Sequence, residues 1–144
     1  MRISDVLRTK GGDVVTVPPD TEVRRLVAVL SEHRIGAVVV SADGRTVDGI
    51  VSERDVVRAL SDRGVGALDE PVSGIQTTEV HTCVPDARIE DLMRLMTDQR
   101  IRHVPVVADG ALSGIISIGD VVKNRIQELE SESAALSDYI STAR

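Results

Sequence analysis

A ten-residue phrase occurs twice in this chain, and the duplication constrains the fold more than any other feature. Gly49-Ile50-Val51-Ser52-Glu53-Arg54-Asp55-Val56-Val57-Arg58 returns 65 residues later as Gly114-Ile115-Ile116-Ser117-Ile118-Gly119-Asp120-Val121-Val122-Lys123. Each copy keeps a glycine, two branched aliphatics and a serine, then two variable residues, an aspartate, two valines and a cation. The β-branched run followed by Ser-x-x-Asp predicts a buried strand that runs straight into a helix. Ser52 and Asp55, like Ser117 and Asp120, then stand on a first helical turn, where free backbone N–H groups point outward. Two chemistries fit that arrangement. One is a capping box, in which the serine accepts from a backbone amide and the carboxylate reaches back and favours the helix dipole. The other is a junction whose serine and aspartate bond the hydroxyls of a small ligand. Duplication of the whole set favours the ligand.

Composition bounds the rest. At 144 residues the chain suits one compact domain or two small modules sharing a core. Apolar residues make up 42% but aromatics only 1%, with Tyr139 the sole ring, so the core must be built from Val, Ile, Leu and Ala. The net charge of −6 argues against a nucleic-acid partner, which would need many Lys and Arg contacts to phosphate. The single cysteine, Cys83, cannot form an internal disulfide and fits a reducing compartment. No signal-like apolar segment is present at the N-terminus, and no run approaches the about eighteen apolar residues of a membrane span. A soluble, cytoplasmic protein without a membrane partner is expected.

In chain order, Ile3 to Leu7 reads as a short lead-in helix broken by Gly11-Gly12. Asp13 to Val17 reads as a strand, and Pro18 to Thr21 as a turn. From Glu22 to His33, Val23, Leu26, Val27 and Leu30 recur at helical spacing as one buried stripe, with Gly36 ending the helix. Ala37 to Val40 is predicted as a buried strand, Asp43-Gly44 as a hairpin turn, and Val47 to Val51 as the strand entering the Ser52 junction. The next helix runs to about Arg63, and Gly64, Gly66 and Pro71 mark a linker. The pattern then restarts. Val72 to Ile75 echoes the lead-in helix, Val80 to Cys83 the first strand, and Pro85-Asp86 the Pro19-Asp20 turn. Ile89, Leu92, Met93 and Met96 repeat the helix stripe, Ile101 to Val106 match Ile35 to Val40, and Asp109-Gly110 match Asp43-Gly44. Each unit is strand, helix, strand, strand, helix, and at roughly 50–60 residues it buries too little surface to be comfortably stable alone.

The ordered set "VPPDTEV", "RIGAVVV" and "GIVSERDVVR", with its partners "VPDARIEDLM", "RIRHVPVV" and "GIISIGDVVK", resembles a tandem pair of CBS (cystathionine beta-synthase) domains over about residues 1–125. The resemblance implies an α+β fold in which two β-α-β-β-α repeats pack as a pseudo-twofold pair, with a C-terminal helical extension. The repeats would span residues 1–67, including the lead-in helix, and 68–125, with a tail over 126–144. It also implies that the pair binds an adenosine-containing ligand such as AMP, ADP, ATP, NAD or S-adenosylmethionine in clefts between the repeats. In such pairs the junction Ser and Asp contact the ligand, the Asp taking the ribose hydroxyls, and the base lies against aliphatic residues of the other repeat. Carried onto this chain, a first cleft joins Ser52, Arg54 and Asp55 to Val80, His81, Arg102 and His103. A second joins Ser117 and Asp120 to Val14, Val15, Gly36 and Ala37. Arg54, Arg102 and His103 would place cations at the first cleft, and Gly119, Gly36 and Ala37 would leave the second without them. A phosphate suits a helix N-terminus with a nearby cation. For Arg102 and His103, salt bridges to nearby acidic residues compete with that role.

Other chemistry is weakly supported. His33, His81 and His103 have no metal-ligand spacing with Cys83, and neither a phosphate-binding glycine loop nor a nucleophile elbow is present. No enzyme activity, no metal and no required cofactor are expected. In the tail, Val122, Ile126, Leu129, Leu136 and Ile140 fall on a heptad stripe interrupted at Ser133. It either folds back on its own module or contacts a second copy or an effector, the homodimer being favoured. The expected function is a regulatory sensor that signals nucleotide occupancy to an effector protein. The alternatives are a ligand-free structural interaction module and an effector of a thiol-redox or nucleotide-metabolising enzyme docked through the tail.

Overall fold

The computed structural model describes residues 1–142; Ala143 and Arg144, the end of the predicted tail, lie outside the described residues. Among the described residues, five α-helices and five strands follow one another as α1 (Ile3–Lys10), β1 (Thr16–Val17), α2 (Val23–His33), β2 (Ala37–Val40), β3 (Gly49–Ser52), α3 (Glu53–Arg63), α4 (Ile89–Gln99), β4 (His103–Ala108), β5 (Ala111–Ser117) and α5 (Ile118–Thr142). The fold is α+β, and each repeat carries its own small sheet. In the first, β1 runs parallel to β2 and β2 antiparallel to β3; in the second, β4 and β5 pair antiparallel.

Two aliphatic cores support these sheets, and each is completed by a segment from the other half of the sequence. Val17, Val23, Leu26, Val38, Val40, Val51 and Val56 of the first repeat close around Val72. Ile89, Leu92, Met96, Val104, Ile116 and Val121 of the second close around Ile3 and Val6 of α1. Backbone bonds fix both crossings. The Ile3 and Ser4 amides donate to the Ala87 and Pro85 carbonyls at 2.9 and 2.8 Å, and the Val72 and Ser73 amides to Thr21 and Pro19 at 2.7 and 3.1 Å. Neither set of apolar side chains could be buried without the other repeat, the expected consequence of units this small.

The crossings also account for the glycine that opens the repeated phrase. A Cβ on Gly114 would lie 2.6 Å from Leu7 Cδ2, and one on Gly49 would lie 2.6 Å from Gln76 Oε1 and 3.0 Å from the Thr77 carbonyl oxygen. At both places the other half's lead-in segment lies directly on the strand, and at Gly49 it pairs there, Ile50 and Thr77 exchanging backbone bonds of 2.9 Å.

Several elements depart from the sequence expectation. The first strand is only Thr16–Val17, paired with Val39 and Val40, so Asp13 to Val15 of the expected strand stay outside the ladder. Its counterpart, expected over Val80 to Cys83, is reduced to one parallel bridge from Cys83 to Val106. Gly36 does not end α2; Arg34 does, in the left-handed region at φ 54°, and Arg100 ends α4 in the same conformation. On α2, Val29 rather than Val27 completes the buried stripe, Val27 being 40% exposed. Asp109-Gly110 makes the expected two-residue turn, with φ 52° and 77° closing Ala108 onto Ala111. Asp43-Gly44 does not. There β2 ends at Val40 and β3 starts at Gly49, and the Asp43 carboxylate organises a longer loop by accepting from the Thr46 and Arg45 amides, each at 2.8 Å. Those bonds hold its carboxyl well below the usual range.

The tail continues α5 as one unbroken helix. Leu129, Leu136, Tyr139 and Ile140 are exposed, so among the described residues it does not fold back on its own module. Among the described residues no helix is long and apolar enough to cross a membrane.

Candidate functional site

Where the β3–α3 junction faces the second repeat, a cleft of about 530 Å³ opens. Ser52, Arg54 and Asp55 line it from the first repeat; Val80, His81, Arg102 and His103 line it from the second. Every residue expected in the first cleft is thus brought to one cavity. Gly36 and Ala37, expected beside Ser117 and Asp120, line this cleft instead. The reason is local. The Glu53 amide donates to the Gly36 carbonyl at 3.0 Å, tying the start of β2 to its own repeat's junction, and a Cβ on Gly36 would meet the His103 ring at 3.4 Å. Val14 and Val15 are half-buried and do not line it; Val15 packs against the first core.

Glu53, Thr77, Glu79 and Arg100 also line the cleft and escaped the sequence reading. Thr77 and Glu79 fell between the expected lead-in segment Val72 to Ile75 and the expected strand Val80 to Cys83, in a stretch given no element. Arg100 lay at a helix end, and nothing in the residue type signals its left-handed backbone, a conformation that arginine rarely adopts. A signal existed all the same: Arg100 stands two residues before Arg102 at the mouth of β4.

Both junctions form the capping box. At the first, the Ser52 amide and hydroxyl donate to Asp55 Oδ2 at 2.8 and 3.1 Å, and the Asp55 amide donates to Ser52 Oγ at 3.4 Å. At the second, the corresponding bonds to Asp120 Oδ2 and Ser117 Oγ are 2.9, 2.9 and 3.2 Å. A cap of this kind contributes ~1 kcal/mol to its helix. It uses only one carboxylate oxygen, and Oδ1 of Asp55 accepts no hydrogen bond among the described residues. Capping and ligand binding are therefore compatible on the same side chain.

The charges of the cleft are unneutralised locally. Among the described residues Arg54, Arg100 and Arg102 make no salt bridge, although Glu53, Asp55 and Glu79 share the cavity. The salt bridges considered for Arg102 and His103 are not formed among the described residues. His103 does not add a cation either: burial pushes its pKa down, Lys10 and Arg102 push the same way, and Asp120 and Glu53 only oppose this in part. The cleft thus offers guanidinium donors for an anion and carboxylate acceptors for hydroxyl or amine hydrogens, over a floor that includes Ala37, Ile50 and Val80. Cys83 is a poor nucleophile, its thiol pushed up to about 11 by burial. Among the described residues no three His, Cys, Asp or Glu side chains are grouped to hold a metal ion.

The second junction has a different surrounding. Lys10, in the last turn of α1, donates to Asp120 Oδ2 at 2.5 Å and to the Ile115 carbonyl at 2.7 Å. The expectation that this junction lacks a cation is therefore corrected: the cation comes from α1. Burial works against a charged Asp120, but the hydrogen bonds from Lys10 and Ser117 outweigh it and hold the carboxyl below its usual value.

Comparison with known proteins agrees with this architecture. The family model for the CBS domain matches residues 3–62 and again 72–126. The mitochondrial CBS domain-containing protein CBSX3 of Arabidopsis thaliana is 36% identical over 146 residues, covering 96% of this chain and 71% of its own. A CBS-domain containing protein of Agrobacterium tumefaciens superposes with a TM-score of 0.84 at 48% identity, over 87% of this chain and 99% of that one. A CBS domain protein of Pyrobaculum aerophilum, solved in complex with AMP, superposes with a TM-score of 0.74 at 30% identity, over 83% and 89% of the two chains. With its phrase, its crossed cores and its junctions all present twice, the chain belongs to the CBS domain family and carries two copies of that domain.

Proposed function

We propose that the protein is a regulatory sensor that binds an adenosine-containing nucleotide in the cleft at Ser52 and Asp55 and passes its occupancy to an effector protein. The observation that carries this is the pairing, in one cavity, of an aspartate with an uncommitted oxygen and three arginines without carboxylate partners among the described residues. A nucleotide has the matching polarity: ribose hydroxyls donate to Asp55, and phosphate accepts from Arg54, Arg100 and Arg102 at the N-terminus of α3. The adenine would lie against Ala37, Ile50 and Val80. The similar protein of Pyrobaculum aerophilum, solved with AMP, supports the ligand class. A purely structural module is less favoured, since it gives no reason to gather Arg54, Arg100 and Arg102 in one cavity without, among the described residues, a salt bridge to any of them. On this reading the protein is non-catalytic and cytoplasmic. The exposed apolar stripe of Val122, Ile126, Leu129, Leu136 and Ile140 on α5 supports a homodimer. Binding signals only through different affinity for alternative packings of the repeats or subunits.

Calorimetry with AMP and adenosine tests the site. An exposed charge contact contributes well under ~1 kcal/mol, whereas a charge-assisted hydrogen bond in a closed cleft contributes ~1.5–3 kcal/mol. Arg102→Ala is expected to remove most of the preference for AMP while adenosine still binds. A variant that keeps the full preference would place the phosphate elsewhere.

A further inference from the structure

We infer that Lys10 decides which of the two junctions takes a ribose: its ammonium neutralises the aspartate of the second junction, confining nucleotide binding to the first cleft. The inference rests on the reading that a junction aspartate receives the ribose hydroxyls. Three observations carry it. The two boxes are chemically the same, each serine donating twice to one aspartate oxygen, so the boxes themselves cannot discriminate. Only the second has an additional donor on its carboxylate, Lys10 at 2.5 Å, and the same ammonium is held by the Ile115 carbonyl at 2.7 Å. The lysine is also not a loose surface side chain. Ile3 and Val6 anchor α1 in the second core, and Leu7 lies on Gly114 so closely that a Cβ there would be 2.6 Å away. The helix therefore delivers Lys10 to Asp120 as a fixed part of the fold.

A ribose diol would meet a carboxylate already neutralised by an ammonium: the remaining oxygen, Oδ1, is a weaker acceptor than that of the unpaired Asp55, and an approach to Oδ2 would have to replace a charge-assisted bond with a neutral one. At the first junction the segment that crosses the strand contributes Thr77 and Glu79, neither of which bonds Asp55, and no such competition exists.

The test is binding stoichiometry by calorimetry with AMP on the wild-type chain, on Lys10→Met and on Lys10→Met combined with Asp55→Asn. Methionine keeps the aliphatic stem at an exposed helix end, and circular dichroism checks the fold. The wild type is expected to bind one AMP per chain, Lys10→Met two, and the double variant one. Two AMP per chain in the wild type, or one in Lys10→Met, would overturn the role of Lys10. No binding by the wild type would instead sink the nucleotide reading on which it rests. Lys10→Ala, with its shorter stem, provides a second variant and is expected to give the same count as Lys10→Met.

Discussion

At the first junction one oxygen of Asp55 is left facing an open cleft, whereas at the second the equivalent aspartate is met by a lysine from the far end of the chain. The two boxes have the same serine, the same aspartate and nearly the same bond lengths. What differs is the segment that the opposite repeat lays over the strand. Over β5 it is an eight-residue helix, Ile3–Lys10, long enough to carry a lysine to Asp120. Over β3 it is a three-residue 3-10 turn, Val72–Gly74, followed by extended chain that brings Thr77, Glu79 and Val80 to the cleft wall. A repeat therefore reproduces the scaffold twice but not the site, because each site is finished by residues outside the repeated phrase.

The largest expected break in this comparison comes from the aspartates. Asp55→Asn is expected to weaken AMP by about 10-fold or more, the loss for hydrogen bonds to a charged group in a cleft, while Asp120→Asn leaves AMP affinity within about 2-fold and lowers the melting temperature through its cap and ion pair. Equal losses of affinity would show both junctions in use.

A smaller contrast lies in the two crossings. Gly49→Ala pushes a methyl toward the Thr77 backbone carbonyl at 3.0 Å, which cannot swing away, whereas Gly114→Ala meets the movable end of Leu7. Urea denaturation is expected to show a cost of ~1–3 kcal/mol for the first, the usual range for overpacking, and less for the second. The reverse order would mean that α1 is held more tightly than the Thr77 segment.

The smallest effect is on His103, which feels burial first, then Lys10 and Arg102, with Asp120 and Glu53 opposing. Its folded pKa lies below the ordinary 6.5, so acidification through that value favours the unfolded chain, which binds the proton more readily. Lys10→Met removes one repulsion, and a histidine NMR titration is expected to show the His103 pKa rising and the loss of stability on acidification easing. An unchanged titration would indicate that Lys10 spends its time away from Asp120.

Much of this was legible in the sequence. The repeated phrase showed the strand-to-helix junctions, and the period-3.6 stripes showed α2 and α4, because those signals are local. The residues of the first cleft came from the resemblance to CBS domain pairs, carried onto the motif positions of this chain. What stayed hidden depended on long-range placement. Lys10 is an ordinary exposed helix residue until α1 is docked on the opposite core, and Gly36 looked like part of the second cleft until its carbonyl was seen accepting from Glu53. Arg100 was hidden by a backbone conformation that its side chain does not advertise. Asp43-Gly44 and Asp109-Gly110 carry the same two letters, yet only the second closes a tight turn; at the first the chain spends eight residues between Val40 and Gly49 and the Asp43 carboxylate knits the loop.

The most direct test of the account is a crystal structure of the protein grown with AMP. The account predicts one AMP per chain, with its ribose on Asp55, its phosphate among Arg54, Arg100 and Arg102, and Lys10 still bonded to Asp120. A ribose seated on Asp120 with Lys10 displaced, while the Asp55 cleft stands empty, would contradict it.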